Sequence, residues 1–392
     1  MRMNAKTGLL AAAMLLAAGS VGAQEVQGIT PTTIKIGIIG PFTGPATDFS
    51  RTQMTHIAYF KDINAHGGIN GRQLELIVED DGCDEAKGIA AARKLIEQDK
   101  VFVLDAFTCS GPAMAAKSMI AQSGIPWIVS GAAAAQIANP PVANIFQPTP
   151  NTLVVGAAMA DFIMTRPDTK TIAVISHSND WAKGYYDGVL EELKTKYGIT
   201  PVLDLAMERG STDATPQLLK LRSTKPDAVM VILYPQETAI FLRDAKKYGY
   251  NAPFISTYGT SMNDQYKRLG NYEVLKNFYT AYLIHDLPES PSMQKWAEMI
   301  HRAYPNEQVT INNYNALAGG LALVKALEGS GKEPTWAKFI AALDGIHDWD
   351  TGIAAGPISF SPTEHTGQKT LFFDTFVNEK ATVFTAWGKP RQ

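Results

Sequence analysis

Residues 101–135 read VFVLDAFTCSGPAMAAKSMIAQSGIPWIVSGAAAA. An apolar strand, Val101–Leu104, gives way to the polar turn Thr108-Cys109-Ser110-Gly111 and then to a helix from Pro112. A second apolar strand, Pro126–Val129, ends in the small-residue turn Ser130-Gly131-Ala132-Ala133. Strands linked through a helix lie parallel, so the two turns become neighbours at the carboxyl ends of the strands, where ligands of open α/β sheets bind. Turns without bulk leave backbone N–H groups accessible, and helix amino termini there favour anions. The stretch predicts a crevice for a small carboxylate.

The same alternation extends in both directions. Strand Ile34–Ile39 ends in Gly40-Pro41-Phe42-Thr43-Gly44-Pro45. A helix bearing Met54, Ile57, Ala58 and Ile63 follows, and Gly67-Gly68 and Asn70-Gly71 turn the chain into strand Gln73–Val78. Asp84 is placed to cap a helix running to about Gln98. A proline-rich break, Asn139-Pro140-Pro141 and Gln147-Pro148-Thr149-Pro150, marks a crossover to a second α/β unit. Its strands are Thr171–Ile175, Val202–Met207, Ala228–Leu233, Phe254–Ser256 and Asn277–Tyr282, and its helices are Trp181–Tyr197, Pro216–Ser223 and Glu237–Tyr248, with a loop through Tyr258 and Met262. Helices Ser292–Tyr304, Ile311–Leu327 and Thr335–Leu343 then return to cover the first unit. Strands follow at Pro357–Phe360, Leu371–Val377 and Ala381–Ala386, the last two paired through an Asn378-Glu379-Lys380 turn. The fold class is α/β, with two similar lobes of parallel sheet flanked by helices.

A chain of 392 residues exceeds one ordinary core, and a net charge of −3 argues against nucleic acid as a partner. Arg2 and Lys6 precede the apolar run Leu9–Ala18 and the small residues Val21-Gly22-Ala23, the pattern of a cleaved signal peptide over residues 1–23. The mature chain is expected in the periplasm. Its two cysteines, Cys83 and Cys109, suit one bridge in that oxidising compartment, two free thiols being the alternative.

Catalytic signatures are missing. There is no Gly-x-Ser-x-Gly elbow, no phosphate-binding Gly-x-x-x-x-Gly-Lys-Ser/Thr loop and no His-x-x-x-His pair among the seven histidines. Neither an enzyme, a metal nor a cofactor is expected, and Asp80-Asp81 reads as a turn rather than a carboxylate pair. The strand ends carry aromatic groups instead. Phe49, Trp181, Tyr234 and Tyr258 are expected to face Ser110 and Gly131–Ala133 across a cleft.

Several segments, in order, carry a family likeness: Ile36-Gly37 with Gly40-Pro41 and Thr43-Gly44-Pro45, Asn64-Ala65-His66-Gly67-Gly68-Ile69-Asn70-Gly71, and Asp80-Asp81-Gly82-Cys83-Asp84. Thr108-Cys109-Ser110-Gly111, Gly124-Ile125-Pro126, Tyr314-Asn315-Ala316 and Gly356-Pro357 continue it. The mature chain resembles the periplasmic solute-binding proteins of branched-chain amino acid ABC transporters. The resemblance implies a type I periplasmic binding protein fold with a three-crossover hinge. One lobe comprises residues 30–150 and 283–371, the other 151–282 and 372–392. It also implies a Cys83–Cys109 bridge, a monomer, and membrane permease and ATPase subunits as partners. Ser110 and the backbone of Gly131 and Ala132 would hold a ligand carboxylate, with Phe49, Trp181 and Tyr234 beside it.

Two departures from the resemblance bear on the ligand. Ala133 stands where amino acid binders carry a threonine, and Tyr258 where they carry an acid for the ligand ammonium. A buried ammonium without an acidic partner costs several kcal/mol, roughly. The expected ligand is therefore an aromatic carboxylate of the benzoate or phenylpropanoid type. Branched-chain amino acids and small amide or urea-like solutes are the alternatives, with Asp264 or Glu237 as replacement acids.

Overall fold

The computed structural model describes residues 26–44 and 46–391, so the expected signal peptide lies outside the described residues. The first half alternates as its pattern predicts. Strand β1 (Thr33–Gly40) feeds helix α1 (Arg51–Ala65), followed by β2 (Gln73–Asp80), α2 (Glu85–Arg93), β3 (Val103–Ala106), α3 (Ser110–Ser123) and β4 (Trp127–Val129). A short β5 (Ile145–Phe146) forms inside the stretch read as a break. These strands pair in parallel in the order β2-β1-β3-β4-β5. Ile36, Ile38 and Ile39 are fully buried, as expected of a strand covered on both faces. Asp84 caps α2 as predicted, accepting the Lys87 N–H at 2.9 Å.

The second half begins with α4 (Thr152–Met164), a helix the sequence reading did not place. Then come β6 (Ile172–Ser176), α5 (Asp180–Tyr197), β7 (Leu203–Ala206), α6 (Thr215–Thr224), β8 (Ala228–Ile232), α7 (Pro235–Lys247), β9 (Phe254–Ser256), α8 (Met262–Leu269) and β10 (Phe278–Tyr282). Helix α8 occupies what was read as loop. Its polar surface hid it, but Ser261 caps it and Met262 and Gln265 are buried along one side.

The return segment holds α9 (Gln294–Ala303), α10 (Ile311–Tyr314), α11 (Leu317–Gly329) and α12 (Trp336–Asp344), then β11 (Phe372–Val377), β12 (Lys380–Ala386) and β13 (Lys389–Pro390). Helix α11 packs Ala318, Ala322 and Leu323 into one cluster with Ile36, Phe60 and Ile128 of the first sheet, as expected of helices that return. Two expectations fail. The helix read as Ile311–Leu327 breaks at Asn315-Ala316, where the Ala316 carbonyl accepts both the Gly319 N–H and the His56 Nε2 proton, each at 2.8 Å. Pro357–Phe360 is not a strand but a place where Ile358 bridges Trp349 and Gln368 singly. Among the described residues the second sheet has eight strands, in the order β13-β12-β11-β10-β9-β8-β6-β7. β11 and β12 form the expected hairpin, with Asn378 and Glu379 both at positive φ in its two-residue turn.

The chain crosses between the sheets three times: after β5, after β10 and before β11. The three crossing segments are bonded to one another. Gln147 N–H donates to His365 O and Gly367 N–H to Gln147 O, each at 2.9 Å, while Gln368 Nε2 donates to Leu283 O at 2.8 Å.

Helices α4 and α5 meet through glycines. A Cβ at Gly156 would stand 2.3 Å from Tyr185 O, and one at Gly188 only 2.5 Å from Leu153 O. This close crossing fixes how the first turns of α5 point, and those turns carry Trp181 and Tyr185.

Cys83 and Cys109 form a disulfide with Cα atoms 5.6 Å apart, closing 26 positions of chain. It ties the turn after β2 to the start of α3. Reduction is expected to lower stability by roughly 3 kcal/mol through the freed unfolded chain. Urea unfolding with and without reductant measures this, and coincident curves would contradict it.

Candidate functional site

The two turns of residues 101–135 meet as the parallel βαβ reading requires. Helix α3 starts at Ser110, two residues earlier than expected, and Ser110 Oγ accepts the Ala134 N–H at 3.1 Å. Phe107 sits between them at φ +68°, a conformation costing about 1–3 kcal/mol in a non-glycine residue. It is held on both sides, donating to Ile39 O at 2.9 Å and accepting from Ala132 N–H at 3.1 Å. Gly131 has φ +134°, and a Cβ there would press on Thr108 Cγ2 at 3.1 Å.

That arrangement corrects one expected contact. The Ala132 N–H is spent on Phe107 O, and its carbonyl accepts Gln147 Nε2 at 2.7 Å, so its backbone is engaged within the protein. Ala132 shapes the turn, while Ser110 and Gly131 remain partly exposed. Ala133 packs into the second sheet's core cluster, against which Trp181 and Tyr258 lie, and its carbonyl accepts the Thr152 N–H at 2.8 Å.

Beneath the turns runs a buried polar chain that the sequence reading missed. Ser130 Oγ donates to Asp105 Oδ1, Asp105 Oδ2 lies 2.8 Å from His56 Nδ1, and His56 Nε2 reaches Ala316 O. Ser130, Asp105 and His56 are fully buried. Each His56 nitrogen faces an acceptor without a proton, so the ring carries both of its own. Burial alone pulls its pKa down; the Asp105 charge, its hydrogen bond and the Ala316 carbonyl outweigh this and hold it above the usual histidine value.

The opposite wall comes from the carboxyl ends of β6, β7, β8 and β9. Trp181 stacks on Tyr234 with ring centroids 4.6 Å apart, and Tyr185 meets Trp181 edge-on at 5.0 Å. His177 and the Arg209 guanidinium also lie against Tyr234, at 4.8 and 5.3 Å. His177 donates from Nδ1 to Met207 O at 2.7 Å and accepts the Tyr234 N–H on Nε2 at 2.9 Å, which keeps it neutral. Burial lowers its pKa in the same sense. Tyr185 and Tyr258 lie together, and burial pushes the Tyr258 phenol up to about 12 and Tyr185 well above its ordinary value. These phenols are neutral donors at any physiological pH.

Trp181 and Tyr258 lie against the cluster that holds Ala133, and Trp181 stacks on Tyr234. Phe49 lies on a short 3-10 turn, Thr47–Ser50, and is 41% exposed. Of the two replacement acids, Glu237 is buried and accepts the Gly210 N–H at 2.8 Å with His177 beside it. Asp264 lies in the first turn of α8.

Further site residues emerge only in three dimensions. The hydroxyl oxygens of Thr108, Thr152, Thr257 and Tyr314 and the Asn315 side-chain oxygen are buried without a hydrogen-bond partner among the described residues. Thr108 lies against Gly131, the Thr152 hydroxyl faces Gly184 of α5, and Thr257 precedes Tyr258. Buried polar atoms are almost always paired, so these remain available to bond a further group. Single threonines leave no sequence signal; Tyr314-Asn315-Ala316 did stand out as a motif. A separate depression of about 490 Å³, lined by His177, Asn179, Lys183 and Tyr186, opens on the second sheet alone.

The family model described as periplasmic binding protein matches residues 33–380. The chain belongs to that family. This periplasmic binding protein is similar to an amino acid binding protein of Pseudomonas aeruginosa, at 24% identity over 327 residues, covering 81% of this chain and 86% of that one. A branched chain amino acid ABC transporter protein of Thermus thermophilus with bound valine matches with a TM-score of 0.79 at 20% identity, over 93% of this chain and 97% of that one. A solute binding protein of an R. palustris ABC transporter, in complex with 4-hydroxybenzoate, matches with a TM-score of 0.75 at 19% identity, over 89% and 95% of the two chains. The expected type I fold is present, with a TM-score of 0.76 to a type 1 periplasmic binding protein of Bordetella pertussis, and the family is that of the periplasmic binding proteins.

Proposed function

We propose that this protein closes two lobes on a small carboxylate, with an aromatic acid of the benzoate or phenylpropanoid type as the preferred ligand, and presents it to the permease and ATPase subunits of an importer. The lobes are residues 30–150 with 283–371 and residues 151–282 with 372–392. Ser110 and Gly131 take the carboxylate, and Trp181, Tyr234 and Tyr258 take the ring. The observation that carries this reading is the continuous wall of neutral aromatic side chains opposite the small-residue turns. A planar acid gains its burial there without requiring a countercharge for an ammonium. The 4-hydroxybenzoate complex of the R. palustris neighbour is in keeping with it. The three bonded crossings between the sheets support a hinge, and ligand that bridges the lobes would shift the population toward the closed form.

Branched-chain amino acids are the second reading, favoured by the valine-bound Thermus thermophilus neighbour. Small amides come third. To separate them, the protein is unfolded and refolded to remove carried-over ligand, then screened by thermal shift against aromatic acids, branched-chain amino acids and small amides. A shift with aromatic acids is expected; a shift confined to leucine, isoleucine or valine would overturn the ligand preference. Ser110→Ala is expected to weaken carboxylate binding by about 1.5–3 kcal/mol, as for loss of a hydrogen bond to a charge. Calorimetric titration measures it, and an unchanged affinity removes Ser110 from the anion site.

A further inference from the structure

Below Tyr258, where β10 and β11 pass beneath the crevice, lies a second and smaller feature. A cavity of about 10 Å³ is lined from one side by Tyr258, Thr280 and Asp374 and from the other by Ile311 and Asn315. Its volume suits roughly one water-sized group. The lining residues come from both halves of the molecule: Asp374 and Thr280 face each other across the β10–β11 ladder, while Asn315 is the residue at which the return helix breaks.

The cavity's polar lining mixes donors and acceptors, with Tyr258, Ser261 and Asn263 beside Asp374 and Asn315. Asp374 is 6% exposed, and the one side-chain donor bonded to it among the described residues is the Thr280 hydroxyl. The buried Asn315 side-chain oxygen has no partner among the described residues. Two under-used acceptors on one small space favour a group that brings protons. We propose that this cavity is a specificity pocket for a hydrogen-bond donor on the ligand, with Asp374 and Asn315 as its acceptors. The inference rests on the carboxylate-binding reading and extends it. The ligand has two recognised ends, an acid at Ser110 and Gly131 and a hydroxyl or ammonium donor at Asp374 and Asn315. On the aromatic-acid reading the donor is a phenolic hydroxyl. Burial raises the Asp374 pKa to about 7, so the carboxyl is partly protonated near neutral pH and accepts a ligand donor in its ionised form.

The test compares benzoate with 4-hydroxybenzoate by calorimetry on refolded protein, with leucine as a third probe carrying an ammonium. Wild-type protein is expected to favour 4-hydroxybenzoate by about tenfold or more. Asp374→Leu and Asn315→Leu, which lie on opposite sides of the cavity, should each bring the ratio of the two affinities toward one. If Asp374→Leu does not fold, Asn315→Leu gives the same readout alone. A preference that survives in every folded variant, or no preference in wild type, overturns the pocket. If leucine binds and the aromatic acids do not, the aromatic reading falls, and the pocket then stands only if these variants lose leucine affinity. Ser110→Ala with unchanged benzoate affinity would instead sink the carboxylate reading.

Discussion

Asp105→Ala is expected to destabilise the protein by about 3–5 kcal/mol, the range for removing one partner of a buried ion pair. Asp105 and His56 are both fully buried, 2.8 Å apart, and His56 carries a second bond to Ala316 O. Without the carboxylate, His56 either stays charged in an apolar core or gives up the proton it donates toward position 105. The wild-type pair also predicts the pH dependence. The folded-state pKa of His56 is raised above 6.5, so the folded chain holds that proton more tightly than the unfolded chain. Its stabilisation is complete below about pH 6.5 and is lost as the pH rises through the raised folded value. Urea unfolding across about pH 6 to 9 should show this decline in wild type and its disappearance in Asp105→Ala. A variant as stable as wild type would contradict the buried pair. The chain ends in Ser130 and Ala316, flanking Gly131 and Asn315, so affinity should fall along with stability.

Gly188→Val is expected to cost about 3 kcal/mol, at the upper end for overpacking a close contact. A Cβ at Gly188 would lie 2.5 Å from Leu153 O and 2.9 Å from Leu153 Cα. Those atoms belong to the α4 backbone, so the helices must separate. Alanine supplies the Cβ alone and should fall between glycine and valine, since its better helix propensity offsets part of the clash by about 1 kcal/mol. Separation also shifts the first turns of α5, with Trp181 and Tyr185, away from Thr152. Denaturation midpoints of the three proteins test the order, and a valine variant with wild-type stability and affinity would rule out the close crossing.

Much of this architecture is legible in the chain. The apolar run Ile34–Ile39 and the stretch 101–135 establish parallel strands through continuous hydrophobicity and intervening helical spacing. Asp84 as a cap and the Asn378-Glu379 hairpin turn follow from local chemistry, which needs no distant partner. Helix α8 escaped because one buried edge on a polar helix is weak periodic signal. The broken helix at Asn315-Ala316 escaped because the Ala316 carbonyl's bond to His56 joins residues 260 positions apart.

The turn at residues 108–111 and its neighbour at 130–133 were recognised from sequence as one anion-favouring place, because βαβ geometry leaves them nowhere else to go. The sequence by itself determined the α/β class, the parallel βαβ pairing of residues 101–129 and the aromatic residues at the strand ends of the second unit. Only the tertiary structure decided which groups remain available there. It consumed the Ala132 N–H in holding Phe107 at positive φ and left Phe49 exposed. It also left side-chain oxygens of Thr108, Thr152, Thr257 and Asn315 buried without partners among the described residues and set Asn315 and Asp374 on one small cavity. The physical reason is that hydrogen-bond saturation depends on contacts between residues far apart in the chain, whereas strand and helix formation depends on neighbours.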